Sequence, residues 1–350
     1  MEMVIERLTG SQEDDAIFES AAQIIRRGGL VAFPTETVYG LGADGFNAEA
    51  VAGIFKAKGR PSDNPLILHI ADRPQLWRIT DKVTEKAEKL MDIFWPGPLT
   101  LIFEKKSGVL SCTTAGLDTV SVRMPSHPAA RELIRRSGTA IAAPSANTSG
   151  RPSPTMAEHV AEDMAGRIDM LIDGGSVGIG LESTIVDMTV EPPMLLRPGY
   201  ITKAMLRNVI GEVQTDPSLM EDASGAVRPK APGMKYRHYA PRAELTIVEG
   251  ELLPAAAEIR RLAEEKRRQG YRTGIIATEE TKELYGEEDV RVIGTRQDEE
   301  TIARHLFAVL REFDEIGAEY IFSEAFSKED LGQAIMNRLI KAAGHRIIRL

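Results

Sequence analysis

Between Gly211 and Lys230 the chain loses its hydrophobic periodicity and fills with Asp, Ser, Glu, Gly and Pro. Such a stretch has no apolar face to bury and reads as a linker. It constrains the fold more than any other feature, because it separates two stretches with different patterns. At 350 residues the chain exceeds the ~100–200 residues usual for one domain. We therefore expect a first domain over 1–210, a linker over 211–241 and a second domain over 242–350.

Beyond the linker, strands are expected at Leu245–Val248, Thr273–Ala277, Val290–Ile293 and Tyr320–Phe322. Helices at Pro254–Gln269 and Glu299–Glu315, a short one before Val290 and a final one alternate with them. This order builds a small, largely parallel sheet with helices on its faces, a Rossmann-like α/β domain.

The first stretch is less regular. Ser11 is placed to cap a helix carrying Ile17, Ala21, Ile24 and Ile25, and Leu30–Phe33 reads as a buried strand stopped by Pro34. A second helix runs from about Ala48 to Gly59, and Thr155 with Glu158 has the spacing of a capping box. Strands are expected at Leu99–Phe103, Val120–Met124, Ala140–Ala143, Met170–Ile172, Thr184–Met188 and Leu195–Arg197. Some follow one another with only a turn between them, as around Pro192 and Pro193. The fold class expected is α+β, with a mixed, twisted sheet.

A net charge of −9 opposes indiscriminate binding to nucleic acid, and a single cysteine, Cys112, excludes an intrachain disulfide or a cysteine-based zinc site. Residues 1–8 lack the basic start and apolar core of a signal peptide, and no apolar run reaches the ~20 residues that span a bilayer. A cytoplasmic location with no membrane partner is the expectation.

The chemistry is concentrated in loops. Pro144-Ser145-Ala146-Asn147-Thr148-Ser149-Gly150 follows an apolar strand, and Lys58-Gly59-Arg60 closes a helix. Small side chains let backbone N–H groups approach phosphate oxygens while Lys and Arg supply charge; a plain turn is the alternative. Thr35, Glu36, Thr37 and Tyr39 form a polar cluster after a buried strand, placed either for a ligand or to satisfy local backbone groups. His69 ends an apolar run, which suits a hydrogen-bonded core histidine. Thr119, Ser121 and Arg123 share one strand face, and an inward Arg there needs an anion, either a substrate carboxylate or an internal acid. Ser183 and Arg197 extend this polar set, and Pro232–Pro241 packs Lys235, Tyr236, Arg237, His238 and Tyr239 between breakers, which points to ligand contact. Gly40-Leu41-Gly42-Ala43-Asp44-Gly45 matches a dinucleotide fingerprint only formally, since six residues separate it from the preceding strand. No nucleophile elbow, metalloprotease helix or Walker loop is present. What remains favours nucleotide chemistry driven by positioning and charge neutralisation.

Lys58-x-Arg60 and Ser145-x-Asn147 are accompanied by Pro34-Thr35-Glu36-Thr37-Val38-Tyr39-Gly40-Leu41-Gly42, Pro96-Gly97-Pro98-Leu99-Thr100, Ser121-Val122-Arg123-Met124-Pro125 and Leu196-Arg197-Pro198-Gly199. This set resembles the YrdC/Sua5 family of threonylcarbamoyl-AMP synthases, and the linker with its trailing α/β part resembles the long Sua5 form. The resemblance implies a YrdC-like catalytic domain making threonylcarbamoyl-adenylate and pyrophosphate from L-threonine, bicarbonate and ATP. A partner complex then transfers the threonylcarbamoyl group to N6 of adenosine 37 in tRNAs reading ANN codons, the t6A modification.

By the same resemblance Thr35, His69, Arg123, Ala143 and Ser183 would line the threonine pocket, with Arg123 on the carboxylate. Lys58, Ser62, Thr119, Ser145, Ser153, Arg197 and the segment Tyr236 to His238 would hold ATP. Lys58, Arg60, Ser145 and Asn147 form the catalytic signature. Magnesium would arrive with the nucleotide, with no protein metal site and no tightly bound organic cofactor. The linker would fold over the pocket. The rival reading is a double-stranded RNA or tRNA-binding module without ATP turnover, and the resemblance also leaves room for a weak tRNA contact. The acidic charge and missing aromatic stacking motifs weigh against the rival.

Overall fold

The computed structural model describes residues 2–219, 238–286 and 289–350. Their contacts resolve into two compact units: residues 2–149, 153–178 and 182–219 in one, and residues 150–152, 179–181, 238–286 and 289–350 in the other.

The first unit runs β1 (Val4–Arg7), α1 (Asp14–Arg26), β2 (Val31–Phe33), β3 (Gly40–Asp44), α2 (Ala48–Lys58), β4 (Ile67–His69), α3 (Glu85–Phe94), β5 (Leu99–Glu104), β6 (Thr119–Arg123) and α4 (Pro128–Ser137). It continues with β7 (Ile141–Ala142), α5 (Ala157–Met164), β8 (Met170–Asp173), β9 (Thr184–Asp187), β10 (Met194–Arg197), α6 (Lys203–Ile210) and β11 (Gln214–Thr215). Among the described residues these strands form one eleven-stranded sheet in the order β1-β8-β2-β3-β7-β4-β6-β5-β9-β10-β11. Parallel and antiparallel pairs alternate irregularly along it, giving the mixed α+β architecture.

Helices cover both faces. Val51 and Ile54 of α2, Leu90 of α3, Val160 of α5 and Leu206 of α6 share one buried cluster with Leu41, Leu68, Leu101 and Val122. On the opposite face, Ile25 of α1 and Leu133 of α4 pack against Val31, Phe33, Ile141 and Ile172. Further along that second face, Ile67, Ile102, Ile185 and Leu196 make a separate apolar band.

Local sequence explains most boundaries. Asn47 accepts from the backbone N–H groups of Glu49 and Ala50 to start α2, and Gly59 closes it in the left-handed region at φ 62°. Two expected caps differ. Helix α1 starts after Glu13 with no side-chain cap; Ser11 Oγ accepts from Glu13 N and lies 2.8 Å from Thr9 Oγ1, outside the helix, while Asp14 accepts from the N–H groups of Thr9 and Gly10 in the preceding turn. Helix α5 starts after Met156 without a side-chain cap, because the Thr155 N–H donates to His159 Nδ1 and Thr155 is drawn into the core. The glycines of residues 40–45 serve a strand rather than a nucleotide loop. A Cβ on Gly42 would stand 2.7 Å from the Phe33 ring and 2.8 Å from Ile141 Cγ2, so only glycine lets β3 lie this close.

The second unit contains β12 (Glu244–Glu249), α7 (Leu252–Arg268), β13 (Thr273–Ala277), β14 (Val290–Val292), α8 (Glu299–Glu315), β15 (Tyr320–Glu324), α9 (Asp330–Ala342) and β16 (Ile347–Arg349). Its sheet, in the order β14-β13-β15-β12-β16, is parallel at every pairing. Val248, Ile259, Ile275 and Phe322 centre the cluster beneath α7. Tyr236 and Arg237, with most of the expected linker, lie outside the described residues.

Candidate active site

Strand register brings the first group together. His69 on β4 and Thr100 on β5 both stand directly opposite Arg123 on β6, so the three point to one face of the sheet. This is the face of the Ile67, Ile102, Ile185 band, and the polar row closes that band at one end of the strands. Arg123 is buried, and its side chain reaches the loop after β2. Nη1 donates to Thr37 Oγ1 at 2.9 Å and Nε to Gly97 O at 3.3 Å, while Nη2 lies 2.8 Å from Glu36 Oε1. Glu36 is an internal acid beside Arg123, one of the two kinds of anion the sequence left open for it.

Within the Thr35–Val38 turn, Thr35 Oγ1 donates to Val38 O at 2.6 Å and lies 2.9 Å from Thr37 Oγ1. Thr35 thus satisfies local backbone while Thr37 faces Arg123. Burial pushes His69 down to about 3, and the neighbouring Arg123 charge adds to this, so the imidazole is neutral at physiological pH. Its Nδ1 stands 3.2 Å from Ile67 O. For Glu36, burial works to raise the carboxyl, but the Arg123 charge outweighs it and holds the group below its ordinary value.

Thr100 extends the row to Ser183, their hydroxyls 2.7 Å apart. Arg197, at the end of β10, donates through Nε to Ser183 O at 3.0 Å and through Nη2 to Ser183 Oγ at 3.1 Å. Ser153 Oγ donates to Glu182 Oε1 at 2.5 Å, tying another hydroxyl to the Ser183 segment.

The second group is built around Lys58 at the end of α2. Its Nζ donates to Ser145 O at 2.5 Å and Asn147 O at 2.6 Å, and stands 3.3 Å from Asn147 Oδ1. Ser145 Oγ donates to Asn147 Oδ1 at 2.5 Å. The loop is pinned on its other side by β3, through a bridge between Gly40 and Ser145 and through Ala146 N to Tyr39 O. Arg60 donates to Asn64 O and Pro65 O, each at 3.2 Å, which orders the turn after α2. The two signatures, separated in sequence, are therefore one hydrogen-bonded substructure.

Ala143 is buried, its N–H donating to Ile67 O at 3.0 Å, which sets it beside both groups. Ser62 is exposed in the turn after α2, and Thr119 lies opposite Glu104 at the far end of β6 from Arg123; the described contacts join neither to the two groups. His238 belongs to the second unit, its ring 5.6 Å from that of Tyr239. Thr100 and Glu182 complete the site without having been singled out from sequence, and Thr37 had been named only as part of a polar cluster. Their signal was present in the Thr-Glu-Thr and Pro-Leu-Thr motifs and in the acid before Ser183. Among the described residues no group of three or more His, Cys, Asp or Glu side chains could hold a metal ion.

A neutral imidazole, two buried arginines, a lysine-braced loop and several hydroxyls can position anions and neutralise charge, but they supply no strong base. Comparison with known proteins gives the family. Residues 23–199 match the Sua5/YciO/YrdC family profile, described as "Telomere recombination", and residues 201–344 match "Threonylcarbamoyl-AMP synthase, C-terminal domain". The threonylcarbamoyl-AMP synthase of Bacillus subtilis is 51% identical over 96% of this chain and 95% of its own length. That of Pyrococcus abyssi is 49% identical over 94% and 95%. The crystal structure of P. abyssi Sua5 complexed with L-threonine superposes with a TM-score of 0.92 at 46% identity, covering all of both chains. On its matched domains and its likeness to these relatives along nearly their whole length, the chain belongs to the Sua5/YciO/YrdC family, in its long, two-domain Sua5 form.

Proposed function

We propose that this protein is a threonylcarbamoyl-AMP synthase, forming L-threonylcarbamoyladenylate and pyrophosphate from L-threonine, bicarbonate and ATP. The observation that carries the reading is the pairing, within one unit, of the Arg123–Thr100–Ser183–Arg197 row with the Lys58–Ser145–Asn147 loop. The relatives carrying that activity in their names support it over an RNA-binding module.

Threonine would occupy the pocket of Thr35, His69, Arg123, Ala143 and Ser183. Its amine nitrogen attacks the bicarbonate carbon, the C–OH bond breaks, and water leaves with the displaced proton to give the carbamate. A carbamate oxygen then attacks the α-phosphorus of ATP and the bond to pyrophosphate breaks. The second step calls for a charge-neutralised phosphate rather than a protein base, which suits Lys58, Arg60 and the small-residue loop from Ser145 to Asn147. Neutral His69 is suited to hydrogen-bond the threonine hydroxyl without adding charge. Ser62, Thr119, Ser153 and Arg197 complete the proposed ATP contacts.

Magnesium would be held chiefly by the nucleotide phosphates. It would supply charge neutralisation of the departing pyrophosphate. The product would pass to a complex that modifies the N6 of a tRNA adenosine. No helix among the described residues is long and apolar enough to cross a membrane, and a cytoplasmic site of action is part of this proposal.

Incubation with ATP, magnesium, bicarbonate and threonine should release pyrophosphate only when threonine is present. Release that is absent, or independent of threonine, would refute the assignment.

A further inference from the structure

We propose that Glu36 and Arg123 form a charge-matched clamp for an α-amino acid zwitterion, with Arg123 meeting the carboxylate and Glu36 receiving the α-ammonium group. The inference rests on the threonine reading above and adds to it the residue that recognises the amine.

Three observations carry it. First, the pair is buried but incompletely hydrogen-bonded. Glu36 Oε1 lies 2.8 Å from Arg123 Nη2, yet that contact is not an aligned hydrogen bond on either side, and the backbone N–H groups of Ser126 and of Glu36 itself help hold the carboxylate charged without making well-aligned bonds to it. The Glu36 side chain is 12% exposed and that of Arg123 5%, so bulk water does not make up the deficit. Unmet acceptors beside unmet donors, both desolvated, are the complement of an ammonium and a carboxylate on one carbon.

Second, Arg123 does not need Glu36 to hold its position. Thr37 Oγ1 and Gly97 O already anchor Nη1 and Nε. The remaining Nη2 group, ion-paired to Glu36 but making no aligned hydrogen bond, has donor capacity left for a ligand carboxylate.

Third, the charges suit a zwitterion better than a lone carboxylate. His69, directly opposite Arg123, is neutral, and His127, the other titratable group near Glu36, is also pushed toward its neutral form by burial. The local balance is one positive and one negative charge. A substrate carboxylate alone would leave a net buried negative charge, whereas a zwitterion keeps the pocket neutral. Held this way the amine lies beside a carboxylate, so threonine is gripped at the nitrogen that must later form the carbamate.

The test is calorimetric binding of L-threonine and of its 2-hydroxy analogue, in which a hydroxyl replaces the ammonium, to the full-length protein and to E36Q. The unmodified protein should prefer threonine by at least about tenfold, the scale of a hydrogen bond to a charged group. E36Q should lose about that factor for threonine and little for the analogue, so that the preference collapses. A preference unchanged in E36Q, or an equal loss for both ligands, overturns the proposal, the latter because Glu36 would then only hold Arg123. If E36Q does not fold, the unmodified protein decides: equal affinity for the two ligands overturns the clamp. Failure to bind threonine at all would instead remove the functional reading beneath it.

Discussion

Gly199 ends the motif Leu196-Arg197-Pro198-Gly199, and its replacement by alanine tests how tightly the Ser183 segment is built. A Cβ at Gly199 would stand 2.5 Å from Thr184 N, 2.8 Å from Thr184 Oγ1 and 2.9 Å from Glu182 O. Ordinary contact begins near 3.4 Å, so the Thr184 amide would have to retreat by roughly 0.9 Å, the distance its packing denies it. Two of the three atoms are backbone and cannot swing aside. Thr184 N is bonded to Pro98 O at 3.0 Å and Thr184 Oγ1 to Ile201 O at 2.7 Å, so both bonds would be disturbed. Overpacking costs about 1–3 kcal/mol and a weakened hydrogen bond about 1 kcal/mol; together we expect about 2–4 kcal/mol. Because Ser183 lies between the displaced atoms, its hydroxyl would also shift from Thr100 and Arg197. Urea unfolding by linear extrapolation gives the stability and a threonine titration the binding. A glycine without this crowding behaves oppositely, since alanine there stabilises by about 0.4–1 kcal/mol through the unfolded chain. A Gly199→Ala protein as stable as the parent or more so, with unchanged threonine affinity, would refute the reasoning.

Lys58→Met should cost about 2–4 kcal/mol, because it strands the carbonyls of Ser145 and Asn147 without their donor; urea unfolding reports the loss, and faster hydrogen exchange at Ala146 and Ser149 would locate it. His69 gives an acid-sensitive term. It is held near 3 in the folded protein against 6.5 in the unfolded chain, so stability present above pH 6.5 is lost as pH falls toward 3. Between pH 7 and pH 5 this should amount to about 2 kcal/mol, measurable as a urea midpoint that falls less on acidification in His69→Gln than in the parent.

Much of the second unit could be read from the chain, because its strands are buried runs and its helices carry a strong apolar stripe. Thr273–Ala277 and Glu299–Glu315 have the bounds expected. Strand β1 was unreadable for the opposite reason: it is an edge strand whose Val4 and Ile5 are exposed, so no burial pattern marks it. β3 was hidden because its glycines answer to Phe33 and Ile141, contacts made across the sheet. At the site, residue types were legible but partnerships were not. Sequence shows that Arg123 needs an anion; that Glu36 stands beside it depends on a side chain crossing from β6 to the loop after β2. Thr100 joins Arg123 through β5–β6 register, and register has no local signature in a strand buried on both faces.

The strand order of the second unit also governs when it can form. β12, the first of its strands to be synthesised, is bordered by β15 and β16, the last two. While the ribosome is still adding residues up to Tyr320, β12 has no neighbour in its own sheet. The unit must therefore assemble after translation of its final segment, through contacts of high sequence separation, the regime in which domains fold slowly and expose strand edges longest.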